Sequence, residues 1–242
     1  FNQRVDDVAE AREPLSLMQE AVAAAAQDSG AGFALLRQVD SVRVIRGIWG
    51  YENPGRAVAE AIGVPGAETG ITTLGGNYVQ AVTNQSFLDL QSGTRDVIVV
   101  CGAECGRTQA RASKSGVDLA WNPPPTRPGA TPGANSDSGD KPEWFLGSDK
   151  VTRHPAELEL GLTRPIQFYP IFETALRAAN GESPDAHLKR ISELWASFNA
   201  VAVDNPHAWI RTPVSAEEIR TPSPSNRPDR KSTRLNSSHQ II

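Results

Sequence analysis

Apolar residues recur with strand-like spacing at three places in the first half of the chain. Residues 41–45 alternate around Val42 and Val44, residues 71–74 form a short β-rich run, and residues 96–101 contain four consecutive aliphatic side chains. Continuous aliphatic runs are typical of strands that are buried on both faces of a sheet. The pattern therefore predicts three strands, the last two of which lie inside the sheet.

Between these strands the apolar residues recur with helical spacing. Pro14 and the pair Asn53 and Pro54 are typical helix starts. Asn77, followed three residues later by Gln80, predicts a capping box at the start of a third, central helix. The apolar positions of residues 77–90 spread around most of the helix circumference, which predicts that this helix is buried.

The order of these elements predicts the fold class. Strand, helix, strand, helix and strand between residues 41 and 101 form a βαβαβ unit, which is typical of an α/β fold with a mostly parallel sheet. The crossover that contains the central helix is expected to be right-handed.

Gly75 and Gly76 join the second strand to the central helix. In open α/β sheets, ligands bind at the carboxyl ends of strands, where a helix amino terminus also favours anions. The turn formed by Gly75, Gly76, Asn77 and Gln80 is therefore a candidate site for a phosphate, a carboxylate or a developing oxyanion. The alternative is a tight turn without a ligand, because neither a nucleophile nor a phosphate-binding lysine follows the glycines.

The second half of the chain changes character. Residues 121–142 are rich in proline and glycine and predict a loop, whereas residues 143–227 predict a mainly helical subdomain with helices over 165–179 and from Ser183 onward. Trp195 and Phe198 belong to the apolar stripe of the last helix, which we interpret as core. The polar tail, 228–242, is predicted to be disordered. Its peptide KSTRLNSSH resembles translated sequencing-adapter DNA, so no function is assigned to it.

Composition narrows the classes of function. A net charge of −4 argues against a nucleic-acid partner, since phosphate binding needs a basic face. No run approaches the length of a membrane span, so no membrane insertion is expected. Two cysteines do not form a disulfide framework, which favours a reducing, cytoplasmic location. The first residue is Phe1, and we expect that the start of the gene product is missing.

Few side chains are candidates for chemistry. Cys101 ends a predicted strand and is expected to be an apolar filler, whereas Cys105, beside Arg107, is a weak alternative for a reactive thiolate. The four histidines show no ligand spacing, so no metal site is expected; His187 is expected to be solvated in the first turn of its helix.

Several short phrases, taken in order, resemble the thiolase superfamily, in particular the acetyl-CoA acetyltransferases of its sterol-carrier-protein thiolase-like branch. The resemblance covers residues 1–227. The phrases are Tyr51-Glu52-Asn53-Pro54, Leu74-Gly75-Gly76-Asn77, Val99-Val100-Cys101-Gly102-Ala103-Glu104, Tyr169-Pro170-Ile171-Phe172-Glu173 and Thr221-Pro222-Ser223-Pro224-Ser225-Asn226-Arg227.

The resemblance implies an incomplete fold. Residues 1–120 correspond to the first part of an amino-terminal thiolase-like half, and 143–227 to the loop subdomain that holds coenzyme A. A second half, whose central helix would cover the first, is expected beyond the chain, and without it a large apolar surface is exposed and the chain aggregates. The cysteine that active thiolases acylate falls on Gly76, so no thiol stands at that position.

Two hypotheses follow from the resemblance. The first is an acyltransferase that acts on acyl-CoA in lipid or acyl-CoA metabolism, completed by residues of the second half. The second is a non-catalytic protein that binds acyl-CoA, or a partner subunit, through the same turn. Coenzyme A is expected as a substrate rather than as a permanently bound cofactor, with Arg153, His154 and Arg164 as candidate contacts for its phosphates, and a homodimer or a partner subunit is considered.

Overall fold

The computed structural model describes residues 3, 5–121, 141–148, 153–163 and 165–223 of the 242. They belong to two compact units, Phe1–Lys150 and Val151–Ile242. The loop predicted over 121–142 and the tail predicted over 228–242 fall almost entirely outside the described residues.

The first unit is built on a parallel sheet of four strands in the order β3-β1-β2-β4. The strands are β1 (Ser41–Val44), β2 (Glu68–Thr72), β3 (Ile98–Cys101) and β4 (Trp144–Leu146). All three strand pairs are parallel, so the predicted α/β fold class is confirmed. The chain connects β2 to β3 across the intervening β1, which places the predicted crossover around the centre of the sheet.

A 3-10 turn (Val8–Glu10) and five helices accompany the sheet: α1 (Pro14–Asp28), α2 (Phe33–Leu36), α3 (Pro54–Ala61), α4 (Tyr78–Gln91) and α5 (Gly106–Ser115). The predicted starts of α1 and α3 are confirmed. Pro14 begins α1, and the Asn53 side chain caps α3 by accepting a hydrogen bond from the N–H of Arg56 at 3.1 Å. Met18 of α1 and Val58 of α3 are fully buried in the core with Val42 and Val44 of β1.

The fourth strand corrects the predicted boundary of the helical subdomain. Residues 144–146 fall within the predicted helical subdomain, 143–227, but they pair with β2 and place Trp144 opposite Gly70. Glu143 fixes this register, because its carboxylate accepts a hydrogen bond from the N–H of Thr69 at 2.8 Å and pairs with Arg56 at 2.5 Å. A strand of three residues is too short to show the alternation of apolar and polar side chains that identifies a strand in a sequence. The contacts of Glu143 with distant residues therefore indicate β4 where the local sequence does not.

The central helix α4 is less buried than its apolar pattern predicts. Val82 and Ser86 are its buried residues. Phe87 and Leu88 are 65% and 58% exposed, respectively, among the described residues. The apolar surface of α4 is therefore largely exposed within the described residues.

A buried cation lies between α4 and the sheet. Arg43, in the middle of β1, is 1% exposed and donates hydrogen bonds to Ser86 at 3.0 Å and to Asp89, both on α4. Its guanidinium also lies 4.9 Å from the centroid of the Trp144 ring. Because it contacts α4 and β4 together, Arg43 joins two elements that the sequence pattern treated separately.

The second unit is helical. It contains α6 (Pro155–Glu159), α7 (Pro165–Ala179), α8 (Pro184–Asp204) and α9 (Ala216–Arg220). The predicted helix bounds of α7 and the start of α8 at Ser183 are confirmed, and the Ser183 hydroxyl accepts a hydrogen bond from the N–H of Ala186 at 3.2 Å. The prediction that Phe198 is core is wrong: its ring is 54% exposed and meets Trp195 edge-on at 5.6 Å.

Candidate functional site

The candidate site lies at the carboxyl edge of the sheet. Because all four strands are parallel, the segments that follow β1, β2, β3 and β4 emerge at this edge. The segments after β1 and β3 are joined there: Glu104 accepts a hydrogen bond from the N–H of Ile48 at 2.7 Å, and the Trp49 indole donates to the carbonyl of Ala103 at 3.0 Å. The segment after β2 is the glycine turn.

The predicted capping box at this turn is wrong. Asn77 has helical backbone angles, and its side chain makes no capping hydrogen bond. The Gln80 amide donates instead to Asn84 at 2.7 Å, one turn further along the helix. The N–H of Tyr78 donates to the carbonyl of Gly75 at 3.1 Å, so backbone rather than side-chain atoms close the turn.

Gly76 is the most open position of the turn. It is exposed, and a Cβ atom built on it would meet no atom within 4 Å. Within the described residues, the N–H groups of Gly76 and Asn77 make no hydrogen bond. Two amides are therefore available at the amino terminus of a helix of 14 residues, where the helix dipole favours negative charge.

The turn is supported from the side by the segment after β4, which the sequence did not indicate. The N–H of Ser148 donates to the Tyr78 hydroxyl at 3.3 Å, and the N–H of Thr73 donates to the carbonyl of Leu146 at 2.9 Å. Gly147 has a φ of +120° and lies against Thr73 and Tyr78. The only sequence signal for this contact is a glycine after a short aromatic run.

Neither cysteine is available as a nucleophile. Cys105 is 6% exposed rather than accessible as expected, and burial raises its pKa to about 11, against a hydrogen bond from Gln3 that lowers it. Burial likewise raises the pKa of Cys101 to about 12, in agreement with its predicted role as an apolar filler. Both thiols are therefore protonated at neutral pH.

We expect both thiols to react slowly with iodoacetamide in the folded chain. A pKa raised by two units or more above the ordinary value of about 8.5 reduces the thiolate fraction at pH 7.5 by roughly a hundredfold, and burial adds a steric barrier. Alkylation followed by intact mass should show both cysteines reacting at least about tenfold more slowly than the single exposed thiol of Gly66→Cys. The pKa of each thiol is higher in the folded chain than in the unfolded chain. The free energy of unfolding is therefore unaffected by these thiols below the pKa of the unfolded chain, and it decreases as the pH rises above that pKa. Rapid labelling of Cys105 at pH 7.5 would contradict the account.

The candidate cations for coenzyme A make local contacts in the second unit. The His154 side chain caps α6 by accepting from the N–H of Ala156 at 3.2 Å, and Arg153 donates to the carbonyl of Thr163. Both are exposed, whereas Arg164 lies outside the described residues. Their proposed contact with a phosphate stays a prediction.

His187 is not the solvated residue that its position in the first helical turn predicts. It is buried, and its two ring nitrogens each lie 2.9 Å from a carboxylate oxygen, one of Glu173 on α7 and one of Glu182 before α8. Arg190 pairs with the same Glu182 at 2.7 Å. The histidine therefore links α7 to α8 and is occupied by structural contacts.

The described residues form neither a metal cluster nor a membrane-spanning helix. Among the described residues, no group of three or more histidine, cysteine and acidic side chains is arranged to hold a metal ion. The helices in the described part of the chain are also too short or too polar to cross a membrane.

Comparison with known proteins gives a structural similarity. No protein-family model matches the sequence, and no curated protein matches it. Among solved structures, the crystal structure of a monomeric SCP2-thiolase like protein type 1 from Mycobacterium smegmatis matches 90% of this chain with a TM-score of 0.61 and 25% sequence identity. The fold is thiolase-like. The chain spans 38% of the length of that protein.

The glycine turn of this thiolase-like fold is open and contains no thiol. Gly76, the position at which the sequence resemblance predicts an acylated cysteine, lies just before the amino terminus of α4. The described residues supply two available amides at this position but no thiolate, and they bring no histidine to the turn's own unit. The arrangement can therefore hold an oxyanion or a carbonyl oxygen without forming a covalent bond through a cysteine.

Proposed function

We propose that the protein binds acyl-CoA thioesters through the Gly75–Gln80 turn and does not use a cysteine of this chain as an acyl acceptor. The observation that carries the proposal is the thiolase-like fold combined with the open Gly76 position, where the helix amino terminus presents amides but no thiol. The two buried, protonated cysteines support the non-covalent form of the proposal. We place this function in cytoplasmic lipid or acyl-CoA metabolism.

An acyltransferase is the second candidate, and the similarity to a thiolase-like protein favours it. This function requires a nucleophile and a base from outside the described residues, because neither cysteine here supplies a thiolate. The same turn would then stabilise the developing oxyanion rather than only orient the thioester. The two candidates therefore differ in whether an acyl group leaves coenzyme A.

Gly76→Cys tests the placement of the site. The new side chain fits without a clash, and the helix dipole and turn amides should lower the pKa of its thiol. We expect incubation with acetyl-CoA to add one acetyl group to this variant, detected by intact mass, and to add none to the wild-type chain. Gly66→Cys is the matched control, because Gly66 is equally open but precedes strand β2 rather than a helix.

Binding is measured in parallel by calorimetric titration of the full chain with acetyl-CoA. The proposal expects saturable binding that free acetate does not reproduce. It is wrong if the wild-type chain shows no binding, or if Cys101 or Cys105 becomes acetylated. Equal acetylation of Gly66→Cys and Gly76→Cys would show that the turn has no special role.

A further inference from the structure

The buried ring of His187 has more polar contacts than its two nitrogens can use at once. Nε2 lies 2.9 Å from Oε2 of Glu173 on α7. Nδ1 lies 2.9 Å from Oε2 of Glu182, which precedes α8, and 3.1 Å from Nη2 of Arg190 on α8. A ring nitrogen either carries a proton or offers a lone pair, so Nδ1 can use only one of its two contacts at a time.

The two contacts of Nδ1 require opposite protonation states. A carboxylate only accepts hydrogen bonds, so the contact with Glu182 requires a proton on Nδ1. A guanidinium only donates, so the contact with Arg190 requires Nδ1 without a proton. Nε2 contacts the Glu173 carboxylate and therefore carries its proton in both states. The charged ring donates to both carboxylates, whereas the neutral ring donates to Glu173 and accepts from Arg190.

Arg190 is held in the position that the neutral ring requires. Its Nε donates to Oε1 of Glu182 at 2.7 Å, and its Nη2 donates to Oε2 at 3.2 Å. Because Nη2 carries two hydrogens, it can donate one to Nδ1 of His187 and keep the other on Glu182. The hydrogen bond between Arg190 and Glu182 raises the pKa of the guanidinium and lowers the pKa of the carboxyl, so both groups stay charged while a histidine titrates.

The charged groups around the ring come from both helices and from the connection between them. Glu173 and Arg177 lie on α7, Glu182 lies in the connection, and Arg190 lies on α8. Arg177 donates to the backbone carbonyl of Glu182 at 3.1 Å rather than to the ring. The His187 side chain is 7% exposed, so water does not readily replace a lost contact, and a ring nitrogen without a partner would destabilise the helix pair.

We propose that Nδ1 of His187 is a proton-controlled contact, which exchanges Glu182 for Arg190 when the ring loses a proton, while Nε2 keeps its bond to Glu173. Both ring nitrogens are then satisfied in the charged and in the neutral state. The contact between α7 and α8 therefore persists across the pH range in which a histidine titrates. This inference concerns the second unit and does not depend on the proposed binding of acyl-CoA.

The protonation state of the ring can be measured directly by NMR. Long-range proton–nitrogen spectra of the full chain with labelled histidine show which ring nitrogen carries a proton. Replacement of His154, His207 and His239 by glutamine leaves His187 as the remaining one of the four histidines. We expect both nitrogens to be protonated at about pH 5 and Nε2 alone at about pH 8.5. A neutral ring with its proton on Nδ1, or a ring that keeps both protons throughout, would overturn the proposal.

Arg190→Met tests the contact that replaces the proton. In this variant only the charged ring is satisfied, so the stability of α8 is complete below about pH 6.5, the ordinary pKa of histidine, and declines as the pH rises. Amide hydrogen exchange, corrected for the intrinsic rate at each pH, measures the opening equilibrium of α8.

Between about pH 6 and about pH 8.5, we expect this equilibrium constant to rise about tenfold more in Arg190→Met than in the wild-type chain. Lys189→Met is the matched control, because it removes an exposed cation of α8 that lies 3.8 Å from Glu193, and it should keep the pH dependence of the wild type. Equal pH dependence of Arg190→Met and the wild type would overturn the proposal. If Arg190→Met does not fold, the protonation state measured in the wild-type ring decides the question.

Discussion

Arg43→Met should lower the free energy of unfolding of the first unit by about 3–5 kcal/mol, because it removes one partner from a buried ion pair. The side chain of Arg43 is 2% exposed and pairs with Asp89, whose own side chain is 19% exposed. Without the guanidinium, Asp89 and Ser86 lose their main hydrogen-bond donor, and α4 loses its polar attachment to the sheet. Urea unfolding followed by tryptophan fluorescence measures the effect.

Two control variants distinguish the effect of the buried ion pair between Arg43 and Asp89 from that of an exposed ion pair. Arg12→Met removes the exposed pair with Glu20, in which the side chains are 43% and 38% exposed, and should cost less than about 1 kcal/mol. The double variant Arg43→Met with Asp89→Leu should recover part of the loss, because no unpaired carboxylate remains. Equal effects of Arg43→Met and Arg12→Met would contradict the buried network.

Acid should weaken the same attachment. Burial opposes ionisation of Asp89, but hydrogen bonds from Arg43 and Gln85 outweigh it and hold the pKa of Asp89 below its ordinary value. A lowered folded-state pKa means that the stability is present above the pKa of the unfolded chain and is lost as the pH falls below it. Arg43→Met should therefore flatten the acid side of the stability profile.

Gly147→Ala should destabilise the first unit by about 2–5 kcal/mol, combining backbone strain with overpacking. The φ of +120° at Gly147 is one that L residues rarely adopt, and an added Cβ would lie 2.7 Å from the Tyr78 ring and closer still to Thr73. Because Tyr78 is the first residue of α4, we also expect weaker acetyl-CoA binding. Unfolding in urea and calorimetric titration measure the two effects.

Gly93→Ala is the matched control for this prediction. Gly93 also has a positive φ, +71°, but an added Cβ would meet no atom within 4 Å. Gly93→Ala should lower the free energy of unfolding only by the cost of the backbone strain, about 1–2 kcal/mol. If Gly147→Ala is no more destabilising than Gly93→Ala, the contact between the β4 end and the glycine turn does not support the fold.

The sequence predicted those parts of the fold that local chemistry determines. Pro14, Asn53 and Ser183 mark helix starts because their effects act within one turn. The run 96–101 marks a strand because its four consecutive aliphatic residues are a local signal, but the prediction that this strand lies inside the sheet is wrong for the described residues, in which β3 is an edge strand. The turn at Gly75 and Gly76 could be located for the same reason, since two glycines between a strand and a helix are a local signal.

Other features depend on partners that are distant in the chain. Arg43 stands between Val42 and Val44 in β1, and its partner Asp89 lies 46 residues later, so no local pattern indicates that this cation is buried. Likewise, β4 depends on contacts of Glu143 with residues 74 and 87 positions earlier. The burial of His187 depends in the same way on Glu173 of α7, 14 residues earlier. The prediction for Asn77 fails for a local reason instead, because backbone atoms rather than its side chain close the turn.

The central claim is that acyl-CoA binds at the Gly75–Gln80 turn without passing its acyl group to a cysteine of this chain. The most direct measurement is the exchange of isotopic label between acetyl-CoA and free coenzyme A, catalysed by the full chain and compared with buffer. We expect saturable binding of acetyl-CoA with no exchange above buffer. Exchange that disappears when Cys101 and Cys105 are replaced by serine would contradict it.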